Sequence, residues 1–222
     1  MIGLVFLHGW GFGPSTWDAW LPAFPGAPTV VLDAGYFGPS SAPVSAALPH
    51  NPDGWLGIGH SHGFSRLATL AVPWRGLMGL GGFLHFCPTA NFSTGTPRDV
   101  LDAMIARLKI DAADVLKRFH RRCGVRDVPS SRPEPEGLAR LRADLIALRD
   151  LDASPPACPT LYVHAQDDRI APVALAQEAQ KRSQDHNQHT RLALLETGGH
   201  ALPLTRAAEC IALAQEFHRG LC

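Results

Sequence analysis

Short apolar runs that alternate with helix-like segments are the feature that most constrains the fold of this chain. The runs occupy residues 2–7, 29–32, 55–58, 76–86, 160–165 and 191–195. Strands of a parallel sheet are buried on both faces, so they appear in a sequence as nearly continuous apolar runs joined by helical crossovers. The alternation therefore predicts an α/β fold, with a mostly parallel sheet and helices on both of its faces.

Helices are expected between these strands. The residues after Pro14 predict a helix that is capped by Ser15 or Thr16 and has Trp17, Trp20 and Leu21 on its apolar side. The apolar spacing that begins at Phe64 predicts another helix, which stops at Pro73. A last helix is predicted from about residue 205 to residue 219.

Residues 93–157 differ from the rest of the chain, because they carry most of its charge and have helical periodicity. Their apolar stripes are Val100, Leu101, Met104, Ile105 and Leu108, then Val115, Leu116, Phe119 and Cys123, then Leu138, Leu141, Leu145 and Leu148. We predict a core domain made of residues 1–92 and 158–222, with residues 93–157 as a helical lid inserted between the fourth and fifth strands.

The composition narrows the possible compartments and partners. The 222 residues carry a formal net charge of zero, which does not favour binding to nucleic acid. Five scattered cysteines predict neither a disulfide framework nor a zinc ribbon, and they favour a reducing cytoplasm. The first apolar run is interrupted by Gly3 and lacks a basic flank, so we expect a buried strand there and neither a signal peptide nor a membrane span.

The pattern G-x-S-x-G at residues 59–63 is the motif that carries chemistry, and Ser61 is its central residue. This pattern requires a sharp turn from a strand into a helix, in which side chains two residues from the serine would clash. A chance match is the alternative interpretation. The apolar strand before the motif and the predicted helix after it favour Ser61 as a nucleophile.

A serine needs a base, and His200 and Asp168 are the candidates for base and orienting acid. Each follows a predicted strand, and functional groups gather at the carboxyl ends of the strands in open α/β sheets. Asp167 is the alternative acid. Backbone N–H groups of Trp10 and His62 are the predicted donors to the developing oxyanion.

A metal site built from His164, Asp167, Asp168 and His200 is a less favoured alternative, because the triad already explains two of these residues and the chain contains no helical His-x-x-x-His pair. We therefore expect neither a metal nor a cofactor.

The chain resembles the α/β-hydrolase superfamily and, more narrowly, the pimeloyl-acyl-carrier-protein methyl ester esterases of biotin synthesis. The similar stretches are residues 7–11, 55–61, 168–172, 200–201 and the helix at 137–151. The chain departs from that pattern in having no β-hairpin before its first strand and a Pro/Ser-rich loop in place of a helix between Asp33 and Trp55. These departures predict a sheet with fewer strands than is usual in the superfamily.

The resemblance implies a monomeric serine carboxylesterase whose acyl ester is carried on acyl carrier protein. Trp10, Phe86 and Phe119 are candidate walls of the acyl pocket, although plain core packing would also explain them. The residues expected to dock the carrier are Arg118, Arg121 and Arg122, in a basic stretch that also holds Arg107, Lys109, Lys117 and Arg126. The alternatives are an ordinary solvated face, a general short-chain carboxylesterase or thioesterase, and a hydrolase-fold protein that only binds a ligand.

Overall fold

A six-stranded parallel sheet forms the centre of the computed structural model, which describes residues 1–38, 48–125 and 133–221. The strands are β1 (Gly3–Leu7), β2 (Thr29–Leu32), β3 (Trp55–His60), β4 (Trp74–Leu80), β5 (Thr160–Ala165) and β6 (Thr190–Leu195). Their order across the sheet is β2-β1-β3-β4-β5-β6. The predicted mostly parallel α/β sheet is thus confirmed.

The winding of the chain reverses at β1, which pairs with β2 on one side and with β3 on the other. Such a reversal leaves a crevice at the carboxyl ends of β1 and β3, because the segments that follow these two strands cross to opposite faces of the sheet. The turns after β1 and β3 therefore meet at this crevice.

Both faces of the sheet are covered by helices. The helices are α1 (His62–Thr69), α2 (Arg98–Leu108), α3 (Ala112–Arg122), α4 (Pro135–Arg149), α5 (Val173–Gln184), α6 (Leu202–Thr205) and α7 (Ala207–Leu221). Alternate residues of β1 point to opposite faces. Leu4 and Phe6 pack in the same apolar cluster as α7, whereas Val5 and Leu7 pack with α1 and α5.

The helix predicted after Pro14 is wrong. The segment forms two short 3₁₀ turns, Pro14–Trp17 and Leu21–Ala23, and no side chain caps the first of them. The bonds of both turns run from residue i to residue i−3, and Pro22 has no N–H with which the first turn could continue as an α-helix through the second. Trp20 is fully buried, but Leu21 is exposed.

The strand predicted over residues 76–86 is too long. β4 ends at Leu80, and Gly81 takes a positive φ of 61° that turns the chain. The apolar run continues past this turn because Phe83, Leu84 and Phe86 are buried as part of a loop. Burial without strand pairing produces the same sequence pattern as a strand.

The inserted helices α2, α3 and α4 are tied to the sheet domain by polar contacts as well as apolar ones. The indole Nε1–H of Trp10 donates to the carbonyl of Leu141 at 2.8 Å, and the ring Nε2 of His120 lies 2.7 Å from the carbonyl oxygen of Gly11. A shared apolar cluster joins Trp10 and Phe86 to residues of all three helices. Arg126, part of the predicted basic stretch, lies outside the described residues.

We expect Leu67→Ala to lower the free energy of unfolding by about 2–5 kcal/mol, because Leu67 is fully buried between α1 and the sheet. Leu204→Ala is the matched control, since Leu204 is 41% exposed and should change stability by only about 0.5 kcal/mol. Urea unfolding of both variants measures the difference. Equal losses would contradict this account of the core.

Candidate active site

Ser61 stands at a strained turn between β3 and α1. Its φ of 53° and ψ of −125° make it the only residue other than glycine with a positive φ in the described parts of the chain. Such a conformation costs about 1–3 kcal/mol and persists only where neighbouring structure holds it. The Ser61 N–H donates to Leu80 of β4 at 2.9 Å, and the Ser61 carbonyl accepts from Phe64 at 3.0 Å.

The two glycines of the motif allow the close packing that this turn needs. A Cβ atom on Gly59 would lie 2.4 Å from the backbone of Phe64. A Cβ atom on Gly63 would lie 2.3 Å from the carbonyl oxygen of Leu7, at the end of β1. The sequence requirement for glycine therefore has a direct steric cause at both positions.

The structure brings Ser61, His200 and Asp168 into one chain of hydrogen bonds. His200 Nε2 lies 2.8 Å from Ser61 Oγ, and His200 Nδ1 lies 2.7 Å from Asp168 Oδ2. All three residues are buried. The alternative acid, Asp167, is exposed and accepts the N–H of Gly199 at 2.8 Å instead.

The carboxylate of Asp168 is held in its charged form. Burial alone would raise its pKa, but attraction to His200 and the hydrogen bond from His200 outweigh burial and lower the pKa. Its second oxygen accepts the N–H groups of Ile170 and Ala171 at 2.8 and 2.9 Å. The acid is thus fixed in orientation and can stabilise a positive charge on His200.

Two further histidines support this arrangement, and the sequence predicted no such role for them. His60 Nε2 lies 3.0 Å from the carbonyl oxygen of His200, so His60 holds the base loop through its backbone. His164 Nε2 lies 2.6 Å from the carbonyl oxygen of Ala171 and 3.4 Å from Asp168 Oδ2. Their positions on β3 and β5, near the carboxyl ends, are the one signal in the sequence that could have indicated these contacts.

The predicted oxyanion turn lies against the serine. A Cβ atom on Gly9 would lie 3.0 Å from Cβ of Ser61, so the backbone that leads to Trp10 passes directly beside Ser61. His62 is the first residue of α1, where the N–H groups of a helix are free to meet a ligand. The side chain of His62 is buried, and burial lowers its pKa to about 4.

The candidate pocket walls belong to one apolar cluster. The rings of Trp10 and Phe119 meet edge to face with centroids 4.8 Å apart, and Phe86 packs against Phe83 at 5.0 Å in the same cluster. This placement is consistent with a wall of a pocket and with core packing.

The three arginines predicted to dock a carrier protein are exposed on α3, but their surroundings differ. Arg118 pairs with Asp114, Nε to carboxylate oxygen, at 2.9 Å, so part of its charge is already balanced. Arg121 and Arg122, at the end of the helix, border a polar cavity together with Arg169.

Residues 1–38, 48–125 and 133–221 hold neither a metal-binding cluster nor a membrane-spanning helix. No cluster of three or more His, Cys, Asp or Glu side chains there is arranged to hold a metal ion. No helix in those ranges is long and apolar enough to cross a membrane.

Comparison with known proteins shows the fold. The chain is 28% identical to a pimeloyl-acyl-carrier-protein methyl ester esterase from Aromatoleum aromaticum, over 98% of each protein. It is similar in structure to an esterase from Exiguobacterium antarcticum, with a TM-score of 0.79, 18% identity, and coverage of 98% of this chain and 91% of the other. An enol-lactonase from Burkholderia xenovorans gives a TM-score of 0.71 at 17% identity, over 99% and 92%. No protein-family model matches. The chain has the α/β-hydrolase fold.

The buried histidines predict a loss of stability in acid. Burial lowers the pKa of His60 to about 3 and that of His62 to about 4, from 6.5 in the unfolded chain. Below pH 6.5 the unfolded chain takes up protons that the native protein does not, so stability falls as the pH falls. We expect each histidine to account for about 2 kcal/mol of loss between pH 8 and pH 5.

Urea unfolding at several pH values measures this effect. His62→Gln should lose about 2 kcal/mol less stability between pH 8 and pH 5 than the unaltered protein does. His186→Gln, at an exposed position, should lose as much stability as the unaltered protein. The prediction would be contradicted if the free energy of unfolding fell equally between pH 8 and pH 5 in His62→Gln and in the unaltered protein.

Proposed function

We propose that this α/β-hydrolase-fold protein is a serine carboxylesterase, with Ser61 as nucleophile, His200 as general base and Asp168 as the acid that orients it. The observation that carries the proposal is the pair of hydrogen bonds, 2.8 and 2.7 Å long, that link the three side chains in that order. Activation of a serine requires such a base, and the base requires a third group to fix its tautomer.

The geometry supports acyl transfer in two steps. Asp168 accepts the Nδ1–H of His200, which leaves Nε2 free to take the proton as Ser61 Oγ attacks an ester carbonyl. The backbone N–H groups of Trp10 and His62 stabilise the oxyanion of the tetrahedral intermediate. His200 then gives its proton to the departing alcohol. Water hydrolyses the acyl-enzyme with the same base, and neither step needs a cofactor.

The proposed substrate is an acyl ester carried on acyl carrier protein, a pimeloyl methyl ester as in the name of the Aromatoleum aromaticum relative. The role in biotin synthesis is part of the same proposal. Arg118, Arg121 and Arg122 would meet the carrier's acidic surface, while Trp10, Phe86 and Phe119 would face the acyl chain. Helices α2–α4 would act as the lid over the site.

A general short-chain carboxylesterase or thioesterase is the second candidate. It is favoured by the ion pair between Arg118 and Asp114, which weakens the positive face available to a carrier protein. The same triad serves both candidates. A protein that only binds a ligand is a weaker alternative, because it would have no need for the bonded Ser61, His200 and Asp168.

We expect Asp168→Asn to lower kcat for a p-nitrophenyl ester by about 10⁴-fold, since the amide leaves His200 in the wrong tautomer. Asp167→Asn is the matched control, and it should retain activity within a few-fold because Asp167 contacts Gly199 and not His200. Steady-state hydrolysis of both variants measures the difference.

Labelling with a fluorophosphonate probe tests the nucleophile directly. The unaltered protein should be labelled and Ser61→Ala should not. A folded protein that takes no label, or equal losses in Asp167→Asn and Asp168→Asn, would count against the proposed triad.

Reversing the charge at Arg118, Arg121 and Arg122 together, by substitution with Glu, should raise KM for a carrier-linked ester at least about tenfold. The same variant should hydrolyse a small p-nitrophenyl ester with an unchanged KM, because that ester makes no contact with the carrier surface. Arg142→Glu, an exposed charge on α4, serves as the control. Parallel effects on both esters would remove the carrier protein from the proposal.

A further inference from the structure

A polar cavity of about 520 Å³ lies beside the loops that carry Asp168 and His200, and Ser61 does not line it. Four arginines from three separate parts of the fold converge on this cavity. Arg121 and Arg122 come from the end of α3, Arg169 from the loop after β5, and Arg206 from the junction of α6 and α7. We call this site the arginine cavity.

The loops that carry Asp168 and His200 form part of the wall of the arginine cavity. Asp167 and Gly199, the residues just before these two, both line it. The end of α3 is bonded to the same place, because the Cys123 carbonyl accepts the N–H groups of His200 and Ala201 at 3.1 Å each. The cavity therefore joins an inserted helix to the loops of β5 and β6.

The positive charge of the cavity is poorly balanced. In the described ranges of the chain, no carboxylate forms a salt bridge with Arg121, Arg122 or Arg169. Arg206 has a long contact of 3.6 Å with Glu209, and Asp167 is the sole acidic residue among the described residues of the lining. The four guanidinium groups and one carboxylate of the described lining give it a net positive charge.

Two of the arginines are already fixed in position. Arg122 Nη2 donates to the carbonyl of Arg169 at 3.1 Å, and Arg206 Nε donates to the carbonyl of Thr197 at 3.0 Å. A guanidinium that already donates to the backbone carbonyl of another residue has a restricted side chain. It therefore loses less conformational entropy when its remaining N–H groups bind an anion.

We propose that the arginine cavity binds the phosphoryl group of a small phosphorylated molecule. A phosphate monoester carries about −1.5 to −2 charges at pH 7 and has three acceptor oxygens, which match several guanidinium forks. The volume lies within the range of about 300–1,000 Å³ that small-molecule pockets have, so it accommodates more than a bare ion. Ser61 does not line this cavity, although Arg121 and Arg122 also belong to the proposed carrier-docking surface.

Binding there would tie together α3, the loop after β5 and the loop after β6. A ligand that binds only the native protein raises its melting temperature by mass action. We expect glycerol phosphate, at ten times its Kd, to raise Tm by about 3–6 °C in this chain. Inorganic phosphate should give a similar or smaller rise, and sodium chloride at equal ionic strength should give none.

The test compares two double variants by differential scanning fluorimetry and calorimetric titration. Arg121→Gln with Arg169→Gln removes two cavity charges that form no ion pair in the described structure, and it should weaken glycerol phosphate binding at least about tenfold. Arg142→Gln with Arg219→Gln removes two exposed charges elsewhere, and its Tm rise should equal that of the unaltered protein.

Three results would overturn the proposal. The first is no Tm rise with either phosphate compound in the unaltered protein. The second is an equal rise in both double variants, which would mean that the anion binds elsewhere. The third is a rise with malonate as large as that with glycerol phosphate, which would show that any dianion satisfies the cavity. None of these readouts involves ester hydrolysis, so they leave the proposed esterase activity untouched.

Discussion

The strained turn at Ser61 is held by the packing of three chain segments, and the geometry of the candidate site depends on that packing. The turn can exist only because β1 and α1 approach within a distance that leaves no room for a Cβ atom at Gly63. The same approach places the segment after β1 beside the serine, since β1 and β3 are neighbours in the sheet. The bond from Ser61 to Leu80 of β4 then fixes the turn against the next strand. The strain energy of about 1–3 kcal/mol is small compared with the free energy that apolar burial contributes to this arrangement.

Burial of the imidazole groups is the second consequence of this close packing. His60, His164 and His200 lie together under the crevice, and each is fully buried. Desolvation favours the neutral ring, which lowers the pKa of His60 and His164 and lets each act as a fixed hydrogen-bond donor to a backbone carbonyl. His200 differs from them because it alone bonds directly to both the carboxylate and the serine. The three equally buried rings therefore differ in their partners: His60 and His164 bond to backbone carbonyls, and His200 bridges Ser61 and Asp168.

The sequence was informative wherever a residue type was tied to a strand end. Ser61, Asp168 and His200 each follow an apolar run, so their meeting at one edge of the sheet could be predicted without any knowledge of side-chain directions. His60 also lies at a strand end, but that position does not tell which group its ring contacts, because the His200 carbonyl is distant in sequence. The segment after Pro14 failed for a local reason. Apolar spacing indicated a helix there, but 3₁₀ turns bury the tryptophans equally well, and Pro22 prevents one continuous α-helix through the segment.

The end of α3 shows how an inserted segment can be coupled to a site without contributing a reacting group. Helix α3 is amphipathic and buries Val115 and Leu116 against the sheet domain, which brings its last residues to the loop of His200. There the Cys123 carbonyl takes two N–H groups that a loop would otherwise leave to water. Both bonds depend on the packing of α3 against the sheet. The backbone of His200 is therefore held by an inserted helix as well as by the sheet.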